Sequence, residues 1–147
     1  MDSATALLLA GHLTATASMA GIIWFVQVVH YPLFPLVGGD RFVAYEARHT
    51  RLTSFVVGPP MAAEGVLALV VVGWFRDEVG TPLALVGLAL LGIIHLSTVG
   101  LQVPAHRRLS IAADTATMHR LALTNWVRTA GWSLRTAVAV AMITVAA

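Results

Sequence analysis

The sequence predicts an all-α integral membrane protein, folded as an antiparallel four-helix bundle with both termini on the non-cytoplasmic side. Of its 147 residues, 58% are hydrophobic and only 11% are charged, a composition typical of membrane proteins rather than of soluble domains. The apolar residues fall into four segments, each reaching the roughly 20 residues that a membrane-spanning helix needs. No linker or low-complexity run divides the chain, so we expect a single domain over residues 1–147.

Prolines and polar turns delimit the four segments. Pro32 and Pro35 follow the first segment and Pro104 follows the third, and proline disfavours the continuation of a helix. Asp40 is a predicted N-cap of the second helix, and Asp114 or Thr115 of the fourth. We therefore expect spans over residues 5–29, 55–75, 83–103 and 116–145, with an amphipathic helix over residues 41–54.

The distribution of arginines predicts the orientation. All nine basic residues of the chain are arginines, and the second connection holds only Arg76. Cytoplasmic connections of membrane proteins carry the excess of basic residues, so the first and third connections are predicted to be cytoplasmic. This topology accounts for the net charge of +2 without a nucleic-acid partner. The first and third connections, with the adjoining helix starts, hold Arg41, Arg48, Arg51, Arg107, Arg108 and Arg120.

The absence of cysteine limits the covalent cross-links and cofactors that the chain can have. With no cysteine in the chain, disulfides, cysteine-ligated zinc, iron–sulfur clusters and covalently attached c-type haem are excluded. A cofactor of this protein would have to be held by histidine, carboxylate or amide side chains, or without a covalent bond.

Each span carries ionisable or polar residues at helical spacing through its apolar interior. On the second helix, Glu46, His49 and Glu64 fall within about 40° of one line at 100° per residue. Charged groups at membrane depth are costly, so they normally face a bundle interior and mark a function. The corresponding residues are His12, Thr16 and His30 on the first span, His95, Gln102 and His106 on the third, and Asn125, Arg128, Trp132 and Arg135 on the fourth.

A histidine-rich layer is predicted near the cytoplasmic face, because that is where the ends of the first and third helices meet the starts of the second and fourth. Glu46-x-x-His49 places a carboxylate and an imidazole one helical turn apart, as in di-iron carboxylate bundles. A His-rich ligand set suits a transition metal, iron or copper in preference to zinc, better than magnesium or calcium. Solvated interfacial residues are the alternative interpretation. The predicted metal ligands are His30, Glu46, His49, His106 and His119.

A non-covalent b-type haem is the competing cofactor prediction. Such a haem needs two imidazoles at similar depth on facing helices, or one imidazole and an open position. The predicted topology places His30 near His106 and His49 near His119, so either pair could meet this condition. His95 defines a separate, deeper level. The predicted cofactor-binding residues are His30, His95, Gln102 and Trp132, with ordinary core packing as the alternative for Trp132.

A deeper group of charged residues is predicted below this layer. It comprises Glu64, His95, Arg128 and Arg135, with His12 toward the outer face. Unpaired, Glu64 or Arg135 would cost at least about 2.5 kcal/mol at the bilayer centre. Glu64 could pair with Arg135, or stay protonated against His12 or His95. A structural ion pair, a proton relay and an anchor for a polar group of a lipophilic substrate remain open.

Three sequence strings carry a family resemblance. They are Trp24–Phe34 (WFVQVVHYPLF), Gln102–His106 (QVPAH) and Thr124–Thr129 (TNWVRT), the last followed by Trp132 and Arg135. In these strings the chain resembles an uncharacterised family of bacterial proteins with four transmembrane helices. The resemblance covers most of the chain and implies a multi-pass protein of the bacterial plasma (inner) membrane.

More distantly, the layout is similar to anthrone-oxygenase-like membrane proteins. Those proteins have a proline after the first span, an Asn-x-Pro-x-Asn stretch after the third, and a fourth span rich in Trp, Asn and Arg. Here Gln102-x-Pro104-x-His106 stands where Asn-x-Pro-x-Asn would be expected. The difference adds a potential metal ligand. The likeness implies oxygenase-like chemistry on an aromatic substrate.

The leading functional hypothesis is a membrane-embedded oxidoreductase, oxygenase-like, acting on a lipophilic aromatic or quinone-like molecule at a metal or haem site. Asn125, Arg128 and Arg135 would orient substrate oxygens or stabilise an anionic intermediate, and Glu64 would relay protons. Two alternatives remain. One is a non-catalytic accessory subunit of a larger membrane complex, and the other is a proton or ion pathway through Glu64, His95 and Arg135. The expected partners are the lipid bilayer and a lipophilic small molecule, in a homodimer or a larger complex.

Overall fold

The computed structural model describes residues 1–147, and its regular secondary structure is all helical, without a strand. It has four long helices, each long and apolar enough to cross a membrane. The all-α fold and the four membrane-compatible helices are therefore confirmed. The helices are α1 (Ser3–Leu36), α2 (Gly39–Val79), α3 (Thr81–Leu109) and α4 (Thr115–Ala146).

Three hydrophobic clusters hold the helices together. Each cluster takes side chains from all four helices, and the outward faces are also apolar, as shown by exposed Phe55, Trp74 and Leu96. Apolar surface on the outside as well as in the core suits a helix bundle surrounded by lipid chains. The first cluster comprises Leu9, Val71, Val79, Ala84 and Met142; the middle one Met19, Ile23, Ala68, Leu91, Ile94 and Trp132; the third Val26, Tyr31, Phe34, Phe42, Ala105, Leu109, Met118 and Leu121.

Contrary to the prediction, the first and third helices do not end at Pro32 and Pro104. α1 continues through Pro32 and α3 through Pro104, and each of these prolines follows a π-helical turn, Val26–His30 or Thr98–Gln102. A proline ring normally clashes with the carbonyl four residues earlier. The extra residue of the π turn alters the position of that carbonyl. Each proline also begins a new α-helical segment, where its missing N–H is not needed.

The starts and connections of the helices differ from the prediction in two further ways. α2 is one continuous helix through Pro59 and Pro60, so the amphipathic and spanning parts are not separate elements. Its N-cap residue is Gly38, and Asp40 lies in the first turn without capping it, which makes the predicted Asp40 cap wrong. The predicted cap at Asp114 is confirmed, since its carboxylate accepts hydrogen bonds from the first backbone N–H groups of α4.

We expect the Asp114 cap to make stability depend on pH. A hydrogen bond from the Thr117 hydroxyl, helped by the Ala116 and Thr117 N–H groups, holds the pKa of Asp114 below its usual value of 3.8. Because the pKa is lowered in the folded state, the stabilisation is present above the unfolded pKa and is lost as pH falls through the folded pKa. Asp114→Ala should therefore unfold at a lower temperature than wild type at pH 7, and the difference should shrink at pH 3. An equal difference at both pH values would contradict this.

We expect opposite effects from two glycine substitutions. A Cβ atom on Gly131 of α4 would lie 2.7 Å from Ile94 Cγ1 of α3, whereas one on Gly92 would meet nothing within 4 Å. Gly131→Ala should lower the free energy of unfolding by about 1–3 kcal/mol through overpacking. Gly92→Ala should raise it by about 0.5–1 kcal/mol, since alanine is the better helix former. Unfolding titrations in detergent micelles measure both, and similar effects of the two substitutions would disprove the close helix contact.

Candidate functional site

Four ionisable side chains from three helices meet beside the third hydrophobic cluster. They are His30 of α1, Glu46 and His49 of α2, and His106 of α3, and we call them the His–Glu cluster. His106 Nδ1 donates to Glu46 Oε1 at 2.5 Å, and His30 Nε2 lies 2.9 Å from His49 Nδ1. Glu46 is fully buried, and the three histidines are half-buried. The predicted histidine-rich layer thus contains a directly bonded group.

The π-helical turns help to position this cluster. His30 is the last residue of the π turn in α1, and His106 follows the π turn of α3 by one helical turn. Glu46 and His49, three residues apart on α2, lie on one helix face. π-helical turns inside α-helices are frequently found at functional sites, because the extra residue changes which side chains face inward.

Aromatic side chains surround the imidazoles. The Tyr31 hydroxyl lies 3.0 Å from His106 Nε2, and it donates to that atom when Nδ1 carries the proton given to Glu46. Phe34 meets His30 edge-on at 5.1 Å between ring centroids, and Tyr45 stacks on His49 at 6.3 Å. None of these aromatic residues was identified from the sequence as part of a site. The sequence feature that could have identified them is that several aromatic residues lie close to His30 and Glu46 along the chain.

Three of the predicted metal ligands can meet at one ion. Glu46, His49 and His106 each offer a ligand atom, and these atoms lie within 4.8 Å of one another. Ligands about 2.1 Å from a common ion are themselves about 3–4 Å apart. Binding therefore requires only small side-chain shifts, including the opening of the Glu46–His106 hydrogen bond by about 0.5 Å.

His30 occupies a different position from the other predicted ligands. His30 and the Thr53 hydroxyl both face His49 Nδ1, at 2.9 and 3.1 Å, which leaves His49 Nε2 free to ligate. Hydrogen bonds of this kind fix the ring orientation of a metal-binding histidine. His30 is thus placed to orient His49 rather than to bind the ion.

Two predicted site histidines lie elsewhere. His119 is exposed on α4 and takes no part in the hydrogen bonds of the His–Glu cluster, so the structure does not bring it to the other predicted ligands. His95 is half-buried, and its Nδ1 lies 3.0 Å from the Leu91 carbonyl of its own helix. Neither histidine forms an ion pair with the ionisable side chains that the sequence grouped with it.

Three further predicted residues, Gln102, Asn125 and Arg128, belong to two separate groups of buried hydrogen bonds, and Gln102 and Arg128 line the same cleft as His49 and His106. Gln102 accepts from Ser97 and donates to Thr124, both at 3.2 Å. Asn125 donates to Gln27 Oε1 at 3.0 Å and accepts from Arg128 Nη1 at 3.1 Å. Arg128, predicted in the deeper group, therefore belongs to this level of the bundle.

A cleft of about 460 Å³ opens beside the His–Glu cluster. Tyr31, His49, His106 and Arg128 line it together with apolar side chains. Its size lies within the range of small-molecule sites. The apolar lining comprises Ile23, Val26, Val57, Met61 and Val103.

A second buried polar group lies in the deeper part of the bundle. Arg135 Nε donates to Glu64 Oε1 at 2.6 Å, and Arg135 Nη2 donates to His12 Nε2 at 2.9 Å. All three side chains are at most 1% exposed. Of the partners considered for Glu64, the structure selects Arg135 and His12. A Cβ atom on Gly87 would lie 2.0 Å from Arg135 Nη1, so the glycine leaves the space that the guanidinium occupies.

The deep group is tightly packed but incompletely hydrogen-bonded. His12 Nδ1, Glu64 Oε2 and Arg135 Nη1 are buried without a partner, as is the indole N–H of nearby Trp132. Trp132 itself is fully buried in the middle hydrophobic cluster, in agreement with its interpretation as a core residue. None of the three main clefts of the structure is lined by these residues.

Comparison with known proteins yields no match to a protein-family model, a curated protein or a solved structure. The likeness to anthrone-oxygenase-like proteins therefore stays a prediction. What the chain does has to be argued from the chemistry of its own buried side chains.

We expect the two charges of the deep group to be strongly coupled in stability. Arg135→Met should lower the free energy of unfolding by about 3–5 kcal/mol, because it leaves the Glu64 carboxylate buried without its partner. The double variant Glu64→Leu/Arg135→Met should lose clearly less than the sum of the two single variants. Unfolding titrations of the four proteins measure the coupling.

The exposed pair Arg76 and Asp77 provides the control, since its atoms lie 3.9 Å apart and both side chains are more than half exposed. Arg76→Met should change stability by less than about 1 kcal/mol. Additive effects at Glu64 and Arg135 would show that the buried pair does not stabilise the bundle as a unit.

Proposed function

We propose that the chain is a multi-pass oxidoreductase of the bacterial inner membrane that uses one transition metal ion on a lipophilic substrate. The observation that carries the proposal is the convergence of Glu46, His49 and His106 beside an apolar cleft. Two imidazoles and one carboxylate, with further positions open, form the ligand set of many non-haem iron enzymes. Iron or copper therefore suits the site better than magnesium or calcium.

We also propose the topology: an antiparallel bundle with both termini on the non-cytoplasmic side. The composition of the hydrophobic clusters supports the antiparallel arrangement. Leu9, near the start of α1, shares a cluster with Met142, near the end of α4. Phe34, near the end of α1, shares another with Met118, near the start of α4. The arginine-rich connections then put the His–Glu cluster toward the cytoplasm.

A single ion fits the cluster better than a haem. His30 Nε2 and His49 Nδ1 are within hydrogen-bonding distance, and the two ring centroids are only 4.4 Å apart. In the predicted haem pair of His30 with His106, His30 Nε2 is therefore occupied by His49, and His106 has Glu46 at Nδ1 and the Tyr31 hydroxyl at Nε2. His119, needed for the other predicted pair, is exposed on α4. A purified protein should therefore show no Soret band.

The protein's own residues would hold and prepare the site. When bound, the ion would supply electron transfer with the substrate and dioxygen. Its binding would displace the proton shared by Glu46 and His106, so affinity should fall at acidic pH. Tyr31 and His30 would fix the orientation of the two ligating imidazoles. The apolar lining would admit a lipophilic substrate and exclude bulk water.

We expect wild-type protein in detergent micelles to bind one equivalent of Fe(II) under anaerobic conditions, or of Co(II) as a spectroscopic probe. Each of Glu46→Gln, His49→Gln and His106→Gln should weaken binding by at least about tenfold, because each removes one ligand. Elemental analysis after desalting and Co(II) absorbance titrations measure this.

The controls are His95→Gln and His119→Gln, which change histidines outside the cluster and should bind metal like wild type. Wild-type protein that holds no stoichiometric metal, or ligand variants that bind as tightly, would reject the metal site. Co-purification with large membrane partners in that case would favour the accessory-subunit hypothesis.

A further inference from the structure

The cleft beside the His–Glu cluster has an unbalanced charge. Two arginines, Arg107 and Arg128, are among its lining residues, and no aspartate or glutamate is. The carboxylate of Glu46 lies nearby, but it is fully buried and already accepts a hydrogen bond from His106. Any group entering the cleft therefore meets cationic, neutral polar and apolar side chains, and no carboxylate.

Arg128 is a buried cation without a counter-charge. It is only 6% exposed and forms no salt bridge. Its guanidinium donates one hydrogen bond, from Nη1 to Asn125 Oδ1 at 3.1 Å, and its buried Nε has no partner. The other buried arginine of the chain, Arg135, has Glu64 at 2.6 Å. A buried charge lacking such a partner is costly.

The guanidinium of Arg128 is held in place by neutral groups. Asn125 is fixed by its hydrogen bond to Gln27 Oε1, and Gln27 in turn donates to the Ala122 carbonyl at 3.1 Å. The Tyr31 hydroxyl also faces the guanidinium. These contacts orient the group without neutralising it, which is the arrangement of a binding residue rather than of a structural ion pair.

We infer that the cleft binds a lipophilic carboxylate, with its anionic head on Arg128 and its apolar body against Ile23, Val57 and Met61. The planar guanidinium fork matches a carboxylate with two parallel hydrogen bonds. Small amphipathic acids and anionic lipid headgroups share this chemistry of an anionic oxygen group on an apolar body. The inference names the substrate class of the proposed enzyme and rests on its cleft, but not on the presence of the metal.

Binding of 2-naphthoate and of its neutral amide, 2-naphthamide, tests the inference. The protein is placed in phosphatidylcholine nanodiscs with EDTA, and binding is measured by isothermal titration calorimetry against empty nanodiscs. Wild-type protein should bind the carboxylate at least about tenfold more tightly than the amide, since hydrogen bonds to charged groups are the stronger ones. Equal binding of the two compounds, or no binding of the carboxylate, overturns the inference without any variant.

Arg128→Gln should reduce the preference for the carboxylate to less than about threefold, and Arg128→Lys should retain part of it. Arg120→Gln is the matched control, since it removes an exposed arginine from the same helix. Circular dichroism and gel filtration check that the variants fold. A preference that persists in folded Arg128→Gln assigns the anion to another group and overturns the inference.

Two further measurements are needed. One distinguishes a lipid headgroup from a small acid as the source of the anion, and the other distinguishes failure of this inference from failure of the metal proposal. Displacement of naphthoate by dihexanoylphosphatidylglycerol, but not by dihexanoylphosphatidylcholine, would support the site and identify a lipid headgroup as its anion. Failure of both lipids to displace naphthoate would support a small acid. Because EDTA removes metal, a failed metal titration leaves this result unaffected.

Discussion

Burial of charged side chains between apolar helices is the constraint on which the structure depends. The outward faces of the bundle are apolar, so any ionised group must find its partner inside. Glu64, Arg135 and His12 satisfy this by meeting at one point, where Gly87 leaves room for the guanidinium. Because three helices contribute the charged groups and α3 contributes the space, this contact fixes the helices relative to one another. Misalignment of any one of them would leave a charge without its partner.

The second determinant is the π-helical turns in α1 and α3. Each is followed by a proline that does not end the helix, and each changes the face that the following residues present. In α1 the buried series includes Ile23 and then, past the π turn, Tyr31 rather than His30. His30 is consequently half-buried and close to His49. The prolines and the cluster are thus parts of one local arrangement.

The sequence could predict the helices and most of the buried polar residues, because apolar segments and regular spacing are local properties. Glu46 and Glu64 are 18 residues apart, five full turns, and both are fully buried as a straight helix requires. His95 and Gln102 are separated by a π turn, so the predicted common face fails and His95 bonds its own backbone. His119 was placed with the other predicted ligands only because of its expected depth in the membrane. It lies nine residues before Arg128, so at 100° per residue it points to the opposite side of α4. The specific contacts of Tyr31, Phe34 and Tyr45 depend on tertiary packing, which spacing does not encode.

A comparison of Arg128 with Arg135 distinguishes a charge that stabilises the bundle from a charge that is available to bind a ligand. Seven residues apart on α4, they point in nearly the same direction and differ by about 10 Å in depth. Both are buried, yet one meets a carboxylate and a histidine in a packed interior, and the other meets neutral amides at the wall of a cleft. If burial served only to fix helix register, both arginines would need counter-charges from the protein. Arg128 has none, its buried Nε has no partner, and the residue lines the cleft beside the His–Glu cluster. The missing counter-charge is therefore best supplied by a ligand that shares this cleft with the proposed metal ion.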